Sequence, residues 1–158
     1  MSVWGALAGG AVGAVVLASG LRVAQEVGWT RFDLPLLLGT VFTENRRRAK
    51  ALGYICHFVL GVVFAMLYFV FFRVIGRSAW WIGALLGIVQ AAFTVTVLVN
   101  VLLPAVHPRM GTPETAADET SLIEPPGFLM LNYGRSSTLV AVAAHVVYGT
   151  ILGLIIQV

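Results

Sequence analysis

Apolar residues in this chain gather into four long blocks, Val3 to Leu21, Ala49 to Phe72, Ala79 to Leu103 and Ser137 to Val158, with polar stretches between them. Each block is close to the roughly 20 residues a helix needs to cross the hydrocarbon core of a bilayer. None contains Asp, Glu, Lys or Arg except Lys50, which sits at a block end where its ammonium can snorkel to the interface. Trp4, Tyr54, Trp80 and Trp81 fall near the block ends, where amphipathic rings favour the headgroup layer. The pattern predicts an all-α integral membrane protein, a four-transmembrane-helix bundle forming one domain over residues 1–158. The first block lacks the basic flank of a signal peptide and is expected to be a retained helix.

The connections carry their own pattern. The first, Arg22 to Arg48, contains Asp33, Pro35 and the run Leu36-Leu37-Leu38-Gly39, too short to cross and too apolar for a free loop. It predicts an interfacial or re-entrant segment. The second, around Arg73 to Arg77, is tight and predicts that the second and third helices are antiparallel neighbours. The third, about 104–136, is acidic, with Glu114, Asp118, Glu119 and Glu124, and ends in another short apolar piece behind Pro125 and Pro126. Its Thr112 to Glu124 part offers little apolar surface to offset ordering entropy, so it is expected to order only against a partner.

Composition agrees with a lipid setting. Apolar residues make up 59 % and charged residues 11 %, too little polar surface to cover a soluble domain. The net charge of +3 suggests nucleic acid until the charges are located. Arg46, Arg47, Arg48 and Lys50 form one short cluster, which at a bilayer surface acts as an orientation signal. No nucleic-acid partner is expected. Of the 10 Lys and Arg residues, only Arg73 and Arg77 lie in the second connection; the rest flank the first and third. The positive-inside rule then places the long connections in the cytoplasm and both termini in the periplasm of a cell inner membrane. The single cysteine, Cys56, excludes an intrachain disulfide.

An internal repeat is visible. Gly53-xxx-His57-xxx-Gly61-xxx-Ala65 in the second block corresponds to Ala141-xxx-His145-xxx-Gly149-xxx-Gly153 in the fourth. Proline-led apolar segments at Pro35 and Pro126 precede them, and Gly5-Ala6-Leu7 matches Gly83-Ala84-Leu85 in the blocks before those. The reading is two parallel repeats of helix, half-inserted segment and helix. Gly5, Gly9 and Gly13, and likewise Gly83, Gly87 and Ala91, recur every fourth residue and so share one helical face, a packing face.

His57 and His145 lie at similar depth, roughly 10 Å inside their helix starts at 1.5 Å per residue. An ionisable group in a span is a functional candidate because its desolvation must be compensated. Two imidazoles on helices running the same way suit a haem, or a transition metal with His107 and Asp33 completing the ligand set. The alternatives are neutral histidines in packing contacts, a helix-capping Asp33 and a loop His107. Gln90 and Thr94 share a face and suit either interhelical hydrogen bonds or a polar path. Nothing in the sequence forms a nucleophilic triad or a phosphate loop.

Asp33-Leu-Pro-Leu-Leu-Leu-Gly39, His57-Phe-xx-Gly61, Pro126-Gly-Phe and His145-xxx-Gly149 together resemble a family of small, uncharacterised four-helix bacterial inner-membrane proteins. The resemblance implies a bacterial setting and no particular activity. Three functions are expected to compete. The first is a non-enzymatic membrane subunit or scaffold, associating with other membrane proteins or with itself and holding a haem or metal at His57 and His145. The second is a small transporter or channel lined by Gln90, Thr94 and the half-inserted segments. The third is a metal-dependent membrane enzyme.

Overall fold

The structure, a computed structural model, describes residues 3–111 and 123–157. Among these residues four helices are long and apolar enough to cross a membrane: Val3–Glu26 (α1), Arg46–Ile75 (α3), Trp80–Val106 and Ser137–Ile155 (α6). Between the first two lies a short helix, Leu34–Gly39 (α2). The third of the long helices is not uniform. It begins as α-helix over Trp80–Phe93 (α4), widens into a π-helical stretch over Thr94–Leu102 and closes with one α turn, Leu103–Val106 (α5). Apart from a bridge between Met110 and Ile123, the described residues form helices and turns. Residues 112–122, which include Glu114, Asp118 and Glu119 of the acidic connection, lie outside the described residues.

Helix ends follow local chemistry and overrun the apolar blocks. Asn45 caps α3, its side chain accepting from the Arg48 N–H at 3.1 Å, so the helix begins at the basic cluster. Gly76, at φ 65°, ends it in the left-handed cap that glycine adopts without a Cβ clash. Asp33 caps α2 by accepting from the Leu36 N–H at 3.1 Å, with Pro35 in the first turn where no N–H is missed. α1 continues to Glu26, where Arg22 and Glu26 pair one turn apart at 2.8 Å.

Small residues decide which helices meet. In the α4–α6 seam the backbones nearly touch: a Cβ built on Gly83 would lie 2.0 Å from the Gly149 carbonyl oxygen, and one on Gly87 would lie 2.3 Å from that of His145. In the α1–α3 seam, a Cβ on Gly10 would lie 2.7 Å from the Ala65 Cβ, and one on Gly61 would lie 2.7 Å from the Ala14 Cβ. The α1–α6 seam runs through Gly5 against Ile155, Gly9 against Leu152 and Gly13 against the Tyr148 ring. In all three the residue numbers run in opposite directions, so α1 is antiparallel to α3 and α6, and α4 is antiparallel to α6. α2 is clamped on α3 in the same way, with Gly39 on the Ala49 carbonyl and Gly53 on that of Pro35.

The expected neighbours α3 and α4 behave differently. Although joined by a short loop, their backbones stay apart, and the Tyr68 hydroxyl bridges them by donating to Gln90 Oε1 at 3.0 Å. The reason is competition: the glycine face of α4 fits the Gly149 and Gly153 face of α6, while the small residues of α3 are taken by α1 and α2. The bundle therefore has three glycine seams and one seam held by side chains. The two α-helical pairs also differ in register, because Gly87 meets His145 in one and Ala14, not Gly9, meets His57 in the other.

Candidate functional site

The side-chain seam encloses a cavity of about 370 Å³. Its walls come from all four long helices and its upper end, toward the α3–α4 loop, is closed by aromatic residues. Tyr68 and Tyr148 meet edge to face with centroids 5.9 Å apart, and the Tyr148 hydroxyl donates to the Gly61 carbonyl. Toward the long connections the floor is built from Phe32, Leu34, Leu38 and Met130. Leu129 and Met130 adopt φ of 55° and 60°, a left-handed turn that costs non-glycine residues roughly 1–2 kcal/mol each. That turn places Met130 on the cavity floor, where it is fully buried.

The π-helical stretch forms one wall through Thr94, Leu98, Val99 and Leu102. In a π turn each N–H reaches back five residues, as the Leu103 N–H does to the Leu98 carbonyl. Pro104, next in the chain, has no N–H to give and would crowd an α-helical carbonyl four residues back. The wider turn accommodates it. Asn100 fits the same geometry, its amide donating to the Val95 carbonyl five residues earlier.

Both histidines singled out in the spans border this cavity. They sit on α3 and α6, which approach each other through Tyr148 rather than backbone to backbone. His57 Nε2 lies 3.2 Å from the Ala14 carbonyl oxygen. A carbonyl only accepts, so this nitrogen carries the proton. His145 has the opposite tautomer: Nδ1 donates to the Ala141 carbonyl at 2.7 Å, leaving Nε2 with a lone pair. The nearest donor to that lone pair is the Thr94 hydroxyl, at a long 3.5 Å. Gln90 joins the same surface, with its oxygen occupied by Tyr68.

The other two candidate ligands lie elsewhere. Asp33 ion-pairs with Lys50 at 2.8 Å besides capping α2. His107 is buried at the C-terminal end of α5, where Nε2 donates to the Leu37 carbonyl and contacts the Thr40 hydroxyl, each at 3.2 Å. Its Nδ1 accepts from the Arg109 N–H at 3.1 Å. Burial pulls the His107 pKa below its ordinary 6.5; the Leu37 carbonyl opposes this and the Arg109 guanidinium adds to it. Arg109 in turn bonds the Thr40 carbonyl at 2.7 Å and pairs with Glu44 at 3.2 Å. These contacts tie the end of the third long helix to α2.

Among the described residues no three His, Cys, Asp or Glu side chains come together as a metal site. A bis-histidine haem requires a ligating nitrogen from each ring. His145 offers Nε2, oriented through Nδ1–H on a backbone carbonyl as metal-bound histidines usually are. His57 has its Nε2 proton committed to Ala14, so its ring would have to ligate through Nδ1, the opposite nitrogen from the one His145 offers.

Two features of the site escape the sequence pattern. Tyr148 shares no motif with the histidines, yet it closes the cavity and fills the space left by Gly13. Thr30 and Ser137 form a buried hydroxyl pair at 2.6 Å, with Thr30 also accepting from the Phe32 N–H at 3.1 Å. This pair anchors the floor segment to the start of α6. The only available signal was a hydroxyl residue beside each floor segment.

These features define an all-helical protein whose four long apolar helices are compatible with a multi-pass membrane protein. No protein-family model matches the chain, and no curated protein or solved structure matches it significantly.

Proposed function

We propose that this chain is a non-enzymatic, multi-pass protein of a bacterial inner membrane, and that its bundle holds a lipophilic ligand between α3 and α4. The carrying observation is the cavity's mouth. Lining residues Leu60 on α3 and Leu102 and Val106 at the end of the third long helix are also 36 %, 47 % and 70 % exposed on the outer surface. An opening ringed by exposed aliphatic side chains faces hydrocarbon at low cost and water at high cost. A ligand dissolved in the bilayer would enter sideways, through the one seam that lacks close backbone contact. The uneven Lys/Arg distribution supports cytoplasmic long connections and periplasmic termini. The paired small-xxx-His-xxx-Gly stripes support the duplicated unit, each stripe lying on an antiparallel glycine seam. Association with a larger membrane complex, or with a second copy, is part of the same proposal.

The test is to purify the protein from its native membrane, extract it with organic solvent and identify what co-purifies by mass spectrometry. Leu98→Trp, which fills the cavity from the π wall, is the comparison. A lipophilic compound near stoichiometric amounts in the wild type and depleted in the variant is expected. An extract indistinguishable from that of the variant would overturn the reading.

A second reading, a path for a small polar solute, draws on Gln90 and Thr94, both of which border the cavity. The Tyr68–Gln90 and Tyr148–Gly61 contacts stop that path partway, so it needs an opening step that the ligand-holding reading does not.

A further inference from the structure

The polar groups inside the cavity specify what kind of head the ligand carries. Among the described residues no carboxylate borders the cavity, so none of them balances an imidazolium there, and the neutral ring is the form an apolar enclosure favours. In His145 the proton is fixed on Nδ1 by the Ala141 carbonyl. Nε2 is therefore an acceptor facing Thr94, whose hydroxyl, at 3.5 Å, engages it only loosely. Gln90 supplies the complement. Its oxygen takes the Tyr68 hydroxyl proton, which leaves the amide NH₂ as a donor. Gln90 lies one helical turn before Thr94, on the same face. An acceptor and a donor thus border the same largely apolar cavity.

We propose that this pair recognises an alcohol: a lipophilic molecule whose hydroxyl donates to His145 Nε2 and accepts from the Gln90 amide while its hydrocarbon part fills the space beside Leu98, Leu102 and Phe32. A hydroxyl is the smallest group that does both. A ketone, ester or ether of the same shape accepts only, and would leave the imidazole lone pair with the long Thr94 contact alone. Membrane lipids and free isoprenoid or phenolic compounds share this recognised chemistry. The inference rests on the cavity being a ligand site.

The experiment uses the full-length protein in phosphatidylcholine nanodiscs and two probes of matched tail, 1-dodecanol and dodecyl methyl ether. Binding is read from thermal unfolding at equal probe-to-lipid ratios, and the site from the ¹⁵N signals of labelled histidine. The alcohol should bind roughly tenfold more tightly than the ether, the worth of one net hydrogen bond in a desolvated site. It should also move the unprotonated His145 nitrogen signal, which the ether should leave in place. His145→Phe should bind the alcohol no more tightly than the ether. If that variant does not fold, the nitrogen shift in the wild type still decides. Equal binding of the two probes, or alcohol binding with an unmoved His145 signal, would overturn the head-group assignment and leave the cavity reading standing. Failure of both probes to bind would overturn both.

Discussion

Gly83→Ala isolates the packing logic of the bundle in one methyl group. The added Cβ would lie 2.0 Å from the Gly149 carbonyl oxygen and 3.0 Å from the Gly153 backbone nitrogen. Carbon and oxygen in ordinary contact need about 3.4 Å, so α4 and α6 must separate by more than about 1 Å over that turn. No side chain can rotate away to absorb the strain, because the clashing atoms are backbone. Overpacking of this kind costs roughly 1–3 kcal/mol, and a backbone clash belongs at the upper end. For a chain of this length that corresponds to a melting temperature lower by about 4–10 °C. Two controls define the scale. Gly20→Ala meets nothing within 4 Å and should be neutral or gain up to about 1 kcal/mol of helix propensity. At Gly9 the new Cβ meets the end of the Leu152 side chain at 3.1 Å, which can move, so Gly9→Ala should fall between the two. Melting curves of the three variants in one mild detergent check this order. A Gly83→Ala protein that melts with the wild type would mean that α4 and α6 are not held by this seam, and the three-seam account would fall.

Further tests address other contacts. Thr30→Val strands both the Ser137 hydroxyl and the Phe32 N–H and should cost about 1–3 kcal/mol by denaturant titration, more than Ser137→Ala, which leaves Phe32 satisfied; the reverse order would refute this hydrogen-bond assignment. Because burial depresses the His107 pKa below 6.5, its share of stability is complete above 6.5 and is lost as pH falls through the folded value, since the unfolded state there binds the extra proton. His107→Gln should therefore show a smaller drop in melting temperature between pH 7.5 and pH 5 than the wild type; an unchanged drop would exclude His107 as a contributor. Reporter fusions after Arg77 and at the C-terminal end of α6 should both report the periplasm, and a cytoplasmic signal from both would invert the proposed orientation.

The long apolar helices were legible because length and hydropathy are properties of one segment at a time. Glycine spacing likewise announced which faces pack. It could not say which face meets which, because α1, α3, α4 and α6 all carry small residues. Pairing is a contest decided by mutual fit, and α4 goes to α6 rather than to its chain neighbour α3. Asp33 was readable as a cap, since an Asp before Leu-Pro satisfies a helix start on local grounds. The π wall was not. Pro104 marked the end of regular α-helix, but whether a chain kinks, stops or widens there depends on what stands opposite, here a cavity. The tautomers of His57 and His145 were equally out of reach, because each is set by a single carbonyl, Ala14 O on another helix and Ala141 O on its own.

The seam arrangement bears on how the bundle comes together during synthesis. α6 follows the other long helices in the chain, yet it is the element that joins α4 to α1. Helices emerge in order, and α1, α2 and α3 can close their mutual contacts as soon as they leave the ribosome. α4 cannot. Until α6 arrives, Gly83 and Gly87 have no matching backbone, and the incomplete bundle presents a bare glycine face to its surroundings and to any other helix within reach. The interval is set by the length of the connection from Val106 to Ser137, so lengthening that connection extends the time during which α4 is open to the wrong partner.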